Sequence, residues 1–323
     1  MQAPAPLHPG PEPAARHAVG IDVGGTKIAG GIVELASGRV VSRRQLATDY
    51  HRGGEPVLAD VAAMAAGLVA EASGQGLDLA GVGIGVAELV DAGGRVFSDY
   101  RIKWRNLDVA GAIASVVGSR PVGLDADVRA AALAEALYGA GRGVEDFYYV
   151  TIGTGVSGVL VQGGRPYAGS RGAALVIANG QTRLRCRACG QITTTIAEDI
   201  ASGPGLAAAW GKGDKAEEVL AAAEAGDAAA VEVIDAATQD LGRILALLAN
   251  SLDPARIVLG GGLGSAPGIY FEALCNAVRA GLWHEDSRDL PIMRSFIGPD
   301  AGLIGAAASI HHQEPSKRPM QIT

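Results

Sequence analysis

One layout occurs twice in this chain: an apolar strand, a turn that contains glycine and threonine, and a second apolar strand. The first copy, "AVGIDVGGTKIAGGIVE", spans Ala18–Glu34, and the second, "DFYYVTIGTGVSGVLVQGG", spans residues 146–164. Apolar runs joined by a tight glycine turn indicate β-hairpins. A repeated hairpin predicts a duplicated unit. We therefore expect two α/β halves that face each other across a cleft and bring both turns to one ligand.

Helix and strand patterns alternate through the rest of the chain. Apolar spacing predicts a helix over residues 56–73, and Asp108 is the expected N-cap of a helix that ends near Gly118. We place a domain boundary near Leu124. The prediction has three parts. Residues 1–17 form a disordered tail, and residues 18–124 form an N-terminal α/β domain that is joined by the C-terminal helix 301–312. Residues 125–300 form a C-terminal α/β domain. Residues 311–323 are also expected to form a tail.

The composition limits the classes of function. The chain has 323 residues, of which 48% are hydrophobic and 19% charged, and its net charge is −7. Such a chain is long enough for two cores, and its acidic balance argues against a general nucleic-acid binder. Three cysteines are too few for a disulfide framework, which favours a reducing cytoplasm. We find no signal-peptide core and no apolar run long enough for a membrane span, so no membrane partner is expected.

Three glycine-rich turns are candidate phosphate sites: Gly24-Gly25-Thr26, Gly153-Thr154-Gly155 and Gly260-Gly261-Gly262. Backbone without side chains lets N–H groups approach phosphate oxygens, and threonine hydroxyls add donors. Lys27 would neutralise phosphate charge, and Asp22 would hold a hydrated Mg²⁺ ion. Any one such turn is more often a purely structural hairpin. None matches a P-loop or a dinucleotide fingerprint, but the three together favour a nucleotide.

Four segments, "GIDVGGTKIAG", "TIGTGVSGVLVQGG", "ARIVLGGGLG" and "AGLIGAAA", occur in an order that resembles the ROK family of repressors and sugar kinases. The resemblance implies an actin/hexokinase-like (ribonuclease H-like) fold of two α/β domains, with ATP and a sugar in the cleft. It implies that Asp22, Gly24, Gly25, Thr26 and Lys27 form the first phosphate motif. Gly153, Thr154 and Gly155 would form the second, and Gly260, Gly261 and Gly262 would lie beside the adenosine. A homodimer is also implied by this resemblance alone.

A catalytic carboxylate is expected in "GLDADVRAAALAE", where Asp125 and Asp127 stand at a strand-to-helix junction. A carboxylate near the attacking hydroxyl orients it and accepts its proton, whereas an isolated aspartate at such a junction is more often an N-cap. The resemblance places the family's base eight residues before a glutamate. Counting back from Glu135 identifies Asp127 as the base, and Asp125 is interpreted as a cap or a supporting group.

The sequence departs from the family pattern where the sugar is bound. The resemblance implies Asn, Glu and His at positions that here carry Ala126, Val176 and Asn179, while Asp127 and Glu198 remain. Losing hydrogen-bonding groups from a polar site penalises a substrate whose hydroxyls then lack partners. The prediction is therefore a kinase for a non-standard acceptor, such as an aminosugar, a deoxysugar or a C7-cyclitol. Its expected substrate-binding residues are Asp127, Glu198, Asn179, Arg101 and Glu88.

The zinc site that the resemblance implies is also incomplete. Cys186 and Cys189 remain, but the third cysteine and the histidine do not. Structural zinc requires four ligands, commonly cysteine and histidine. We therefore expect no zinc and interpret the two cysteines as free thiols.

Three rival functions stay open at the level of sequence. A DNA-binding repressor is disfavoured, since only seventeen residues precede Ala18, too few for a helix-turn-helix domain. An ordinary hexokinase or glucokinase is one alternative. A catalytically impaired sugar-binding protein is the other.

Overall fold

The computed structural model describes residues 16–185 and 189–312. Both predicted tails lie almost entirely outside these residues, as does Cys186. The strands are β1 (His17–Val23), β2 (Lys27–Glu34), β3 (Arg39–Ala47), β4 (Leu79–Val86), β5 (Val122–Ala126), β6 (Phe147–Ile152), β7 (Val156–Gln162), β8 (Arg165–Pro166), β9 (Gln181–Arg185), β10 (Ile192–Ile196), β11 (Ile257–Gly260) and β12 (Ile292–Arg294).

Ten α-helices lie between and after these strands in the described residues. They are α1 (Gly54–Gly74), α2 (Val109–Val117), α3 (Asp127–Tyr138), α4 (Glu198–Ala201), α5 (Gly203–Trp210), α6 (Ala216–Glu224), α7 (Ala228–Leu252), α8 (Gly261–Gly264), α9 (Ile269–Gly281) and α10 (Ala301–His312). The predicted cap of α2 is confirmed, because the Asp108 side chain accepts a hydrogen bond from Gly111 N at 2.9 Å.

The chain divides into two compact units. Unit 1 comprises the chain up to Gly143, the segment Gly164–Ala174 and the chain from Asp300 onward; unit 2 comprises Val144–Gly163 and Leu175–Pro299. The division therefore falls at Gly143, not at the predicted Leu124. The reason is α3, which packs tightly on α10 in unit 1: a Cβ on Gly305 would lie only 1.6 Å from the carbonyl oxygen of Ala130.

Unit 1 is built on a sheet with the strand order β3-β2-β1-β4-β5. The strands β1, β2 and β3 pair antiparallel, whereas β4 and β5 run parallel to β1. Ile21 lies on the face of the sheet that helices α1 and α2 cover, whereas Gly20, the preceding residue, faces α10 on the other side. Since neighbouring strand residues point to opposite faces, the sheet is covered on both sides.

Helix α1 is the one helix in the described chain that is long and apolar enough to cross a membrane. Its apolar residues, among them Val61, Met64 and Leu68, are buried against the unit 1 sheet. This burial explains the apolar composition of α1, which is that of a core helix.

Unit 2 contains strands in the order β12-β11-β6-β7, with β6 and β7 antiparallel and β11 parallel to both of its neighbours. Helices α4 to α9 supply most of its core, together with side chains such as Ile152, Leu259 and Leu263. A separate hairpin pairs β9 with β10. Each unit thus contains one of the two predicted Gly-Thr hairpins.

Candidate functional site

The first glycine turn joins β1 to β2 in unit 1. Gly24 N donates to Lys27 O at 3.0 Å, which closes the turn, and Thr48 N donates to Thr26 O at 3.0 Å. Thr26 is exposed, and Gly24, Gly25 and Lys27 are partly exposed. The turn therefore offers backbone, a hydroxyl and an ammonium group to solvent at the end of two buried strands.

Asp22 lies at the carboxyl end of β1, beside this turn, and helix α10 packs against its carboxylate. A Cβ on Gly302 would lie 2.6 Å from Asp22 Cγ, so the approach requires glycine at that position. Burial is the main cause that raises the pKa of Asp22 to about 6; Lys27 acts in the opposite direction, and Asp300 raises the pKa further. The carboxylate is thus poised to gain from a nearby cation.

Asp127 begins α3, directly after β5, and lies at the same edge of the sheet as Asp22. Across the sheet, Asp22 pairs with Gly85 and Gly85 pairs with Asp125. The Cα of Asp127 lies 3.4 Å from the point that a Cβ on Gly85 would occupy. Gly85 therefore lets the start of α3 pack closely against β4.

Desolvation raises the pKa of the Asp127 carboxyl to about 7, and the charges of Asp22 and Glu88 raise it further. The Val128 N–H, which donates to Asp127 Oδ1 at 2.7 Å, and the Arg129 charge lower the pKa. The side chain is partly exposed. A recessed, accessible carboxyl that titrates near neutral pH is typical of a general base.

Asp125 has a different environment because Arg129 neutralises it. The guanidinium is 3% exposed, and its Nε donates to Asp125 Oδ1 at 2.6 Å. The two terminal nitrogens donate to Gly172 O at 2.8 Å and to Val90 O at 2.7 Å. Arg129 therefore holds the Asp125 side chain at the end of β5, directly before α3.

Glu88 and Arg101 belong to one loop arrangement in unit 1. Glu88 is 6% exposed, and its carboxylate accepts hydrogen bonds from the Ser98 hydroxyl and from the backbone N–H groups of Tyr100, Arg101 and Ile102. These bonds hold the loop that carries Arg101. Arg101 in turn lies against the first glycine turn, since its Cδ is 3.4 Å from the point that a Cβ on Gly25 would occupy.

In unit 2, the second glycine turn, between β6 and β7, lies beside the third. Gly153 N donates to Gly155 O at 2.9 Å, and Gly153 O accepts from Gly203 N, at the start of α5, at 2.8 Å. A Cβ on Gly153 would be 3.8 Å from Gly262 N. Thr154 is exposed. Two of the three predicted phosphate turns therefore meet within this unit.

The third turn contains the conformation that requires glycine. Gly261 has φ +77°, and a Cβ there would lie 2.4 Å from Ile152 O. Gly260 ends β11, where a Cβ would meet the Tyr149 hydroxyl. Backbone groups of Gly260–Gly262 thus pass close to the end of β6 with no side chains between them.

Glu198 lies against the second glycine turn. Its Oε2 accepts from Val156 N at 2.8 Å, and a Cβ on Gly155 would be 2.9 Å from the same oxygen. Glu198 N donates to Ala178 O at 3.1 Å, which brings the segment of Asn179 beside it. Asn179 is exposed, and Val176 is 48% exposed.

No group of three His, Cys, Asp or Glu side chains is arranged to hold a metal ion among residues 16–185 and 189–312. Cys189 is exposed. The other cysteine of the pair, Cys186, lies outside the described residues, so the expectation about zinc stays a prediction.

One feature of the unit 1 site was not identified from sequence as a part of the site. The segment "AGLIGAAA" was used only as a resemblance, yet its first glycine, Gly302, contacts Asp22. Its glycines at 302 and 305 are three residues apart, a spacing that places both on one helix face and indicates close packing.

Comparison with known proteins adds an independent line of observation. The family model described as the ROK family matches residues 18–313. A glucokinase of Halalkalibacterium halodurans is 29% identical over 92% of this chain and 96% of its own length. An N-acetylmannosamine kinase of Escherichia coli is 29% identical over 89% of this chain and 96% of its own length.

A solved structure supports the fold. The ROK family glucokinase of Streptomyces griseus, crystallised in complex with glucose and AMPPNP, superposes with a TM-score of 0.76 and 29% identity over 92% of this chain and 99% of its own. The predicted fold class, α/β and actin/hexokinase-like, is confirmed by this likeness.

Proposed function

Because the chain belongs to the ROK family, we propose that it is an ATP-dependent kinase that phosphorylates a hydroxyl of a sugar or sugar-like small molecule. The relatives reported above are a glucokinase and an N-acetylmannosamine kinase. The exocyclic CH₂OH is the proposed acceptor group. The single observation that carries this proposal is the placement of Asp127, partly exposed and with a raised pKa, at the sheet edge that also bears Asp22 and the first glycine turn.

Asp127 is the proposed base. It accepts the proton of the acceptor hydroxyl as that oxygen forms its bond to the γ-phosphorus, and the bond from phosphorus to the β–γ bridging oxygen breaks, so that ADP leaves. Lys27 and the backbone N–H groups of the glycine turns bind the phosphates and offset the charge of the transferred group. Glu198 and Asn179 are proposed to contact the acceptor.

The donor set fits Mg²⁺ better than a metal held entirely by protein. Asp22 offers carboxylate oxygens as ligands, and its pKa is raised by burial. A bound cation would stabilise the ionised carboxylate and lower this pKa. Mg²⁺ keeps several waters and is commonly bound by one or two carboxylates plus substrate phosphates, so a larger ligand group is not required. When bound, Mg²⁺ supplies charge neutralisation at the phosphates.

The proposed acceptor is non-standard, an aminosugar or a C7-cyclitol, because apolar side chains stand where the family resemblance implies polar ones. Ala126 is 1% exposed and offers only a methyl group, and Val176 exposes an isopropyl group. Hydroxyls that need partners at these positions would lose them. The alternative, an ordinary glucokinase, is favoured by the full-length likeness to two glucokinases.

A panel of acceptors tests the proposal. Purified full-length protein, ATP and Mg²⁺ are assayed for ADP release with glucose, mannose, N-acetylated hexoses, amino hexoses and cyclitols, and the phosphorylated carbon is identified by NMR. Turnover with an aminosugar or a cyclitol at a kcat/KM well above that for glucose is the expected result.

Two other results would point elsewhere. Efficient phosphorylation of glucose would contradict the non-standard acceptor and favour the glucokinase. Sugar binding by calorimetry without turnover on any member of the panel would favour an impaired binding protein.

We propose further that the enzyme is cytoplasmic and a homodimer.

A further inference from the structure

Glu88 is a buried carboxylate whose hydrogen-bonding capacity is used within unit 1. Tyr100 N donates to its Oε2 at 3.0 Å and Ile102 N donates to its Oε1 at 2.7 Å, while Arg101 N and the Ser98 hydroxyl donate as well. The Ser98 oxygen also accepts from Leu89 N at 2.8 Å. Because three successive N–H groups donate to one carboxylate, the backbone of residue 101 is held more firmly than in a loop without such hydrogen bonds.

The fixed loop sets Arg101 on the first glycine turn. The Cδ atom, 3.4 Å from the Cβ position of Gly25, packs on the turn, and the guanidinium begins one bond beyond it. Lys27, at the other end of the turn, supplies an ammonium group. Two cationic side chains, those of Arg101 and Lys27, therefore stand at this turn.

The charge of Arg101 is not used by a neighbouring acid. Within the part of the chain that the structure describes, none of the ion pairs includes Arg101. Glu88, which accepts from the Arg101 backbone N–H, is already bound to backbone N–H groups. A partly exposed guanidinium without an acidic partner, beside a phosphate turn, is suited to an oxyanion.

We propose that Arg101 binds the terminal phosphate of the nucleotide as a second cation beside Lys27, and that Glu88 is the positioning residue that holds it there. The inference rests on the proposed function, since it assigns a role within phosphoryl transfer. A contact to the acceptor, expected from sequence, is the competing role. The contact with Gly25 favours the phosphate because it lies on the proposed phosphate turn.

Nucleotide discrimination provides the test. Binding of Mg-AMPPNP and of Mg-ADP is measured by calorimetry for the wild-type protein, Arg101→Ala, Arg101→Lys and the matched control Arg105→Ala, whose side chain is exposed in the same loop region. AMPPNP carries the terminal phosphate that ADP lacks. We expect Arg101→Ala to weaken AMPPNP binding about tenfold or more and ADP binding little. Arg101→Lys should recover part of the loss, and Arg105→Ala should match the wild type.

Glu88 is tested by the same comparison of AMPPNP and ADP affinities. Glu88→Gln keeps the size of the side chain but replaces one accepting oxygen with a donor that faces backbone N–H groups, so it should reduce AMPPNP affinity relative to ADP in the same direction as Arg101→Ala. A merely structural role would lower the melting temperature and affect both nucleotides alike.

Unchanged AMPPNP affinity in Arg101→Ala, or an equal loss for both nucleotides, would overturn the phosphate role, and a raised KM for the acceptor would then assign Arg101 to that substrate. A wild-type protein that binds neither nucleotide would instead refute the proposed kinase function itself.

Discussion

Asp125 and Asp127 are two residues apart, yet their surroundings give them different chemistry. Asp125 receives the buried guanidinium of Arg129, whereas Asp127 is raised in pKa to about 7 by desolvation and by the neighbouring charge of Asp22. These different environments distinguish the proposed supporting group, Asp125, from the proposed base, Asp127.

The proposed base is tested by Asp127→Asn, which keeps the size of the side chain but removes its ability to accept a proton. We expect kcat to fall by roughly 100-fold to 10,000-fold while Mg-AMPPNP affinity changes little. Asp125→Asn is the matched control, and it should lower stability more than catalysis, because it leaves the Arg129 guanidinium without its acid. Equal losses of kcat in both variants would contradict the assignment.

The pH dependence follows from the raised pKa of Asp127. Since the base must be ionised, kcat/KM should rise with pH and level off above about 7. For stability the sign is opposite: a pKa raised in the folded state means that folding favours the protonated form. The free energy of unfolding of the wild type, relative to Asp127→Asn, should therefore decrease as pH rises from about 4 to about 7. Denaturant titrations at several pH values measure it, and a constant difference would contradict the raised pKa.

At the scale of elements, α10 positions both proposed acidic groups. Gly305 brings α10 against α3, which begins with Asp127, and Gly302 brings its first turn against Asp22. Because contacts this close leave no room for a methyl group, the helix acts as a rigid backing for the end of β1. The small residues of α10 thus shape the proposed catalytic site as well as the packing of the helix.

Gly302→Ala tests this role. A Cβ 2.6 Å from Asp22 Cγ must displace the carboxylate, and a displacement of about 1 Å at a reacting site costs roughly 100-fold in rate. We expect kcat/KM to fall on that order. The matched control is Gly74→Ala at the end of α1, where a Cβ would meet nothing within 4 Å; it should keep full activity. Full activity in Gly302→Ala would show that Asp22 does not need its present position.

At the scale of the whole molecule, unit 2 carries large apolar side chains on its surface that neither core uses. Leu247 on α7 is 66% exposed and Trp283, after α9, is 85% exposed. Asn250 fixes the two segments together, since its Oδ1 accepts from Trp283 N and its Nδ2 donates to Gly281 O, both at 3.0 Å. An ordered, exposed apolar surface of this kind supports the proposed homodimer.

The oligomeric prediction is that wild-type protein elutes as a dimer in size-exclusion chromatography with light scattering, and that Leu247→Glu with Trp283→Ser yields a monomer. Tyr167→Ser, a control at an exposed aromatic residue of unit 1, should remain dimeric. A monomeric wild type would refute the dimer, and a dimeric double variant would move the interface elsewhere.

Much of the fold is encoded locally. Apolar periodicity and glycine turns predicted both hairpins, helices α1 and α2 and the final helix, because each signal lies within a few consecutive residues. The same local reading brought Asp22, Lys27 and Asp127 forward as candidates, with the family resemblance assigning their roles. It misplaced the division between the units, since the packing of α3 on α10 joins residues from opposite ends of the chain.

The sequence by itself determined which residue types stand at the ends of which strands. Only the tertiary structure decided what each one contacts: Arg129 on Asp125, Gly302 on Asp22, and Glu88 on the loop of Arg101. A pKa depends on burial and on charges brought near by the fold, and neither is written in the spacing of residues along the chain. For that reason the pattern predicted carboxylates at this site, whereas the three-dimensional packing distinguished the proposed base from its supports.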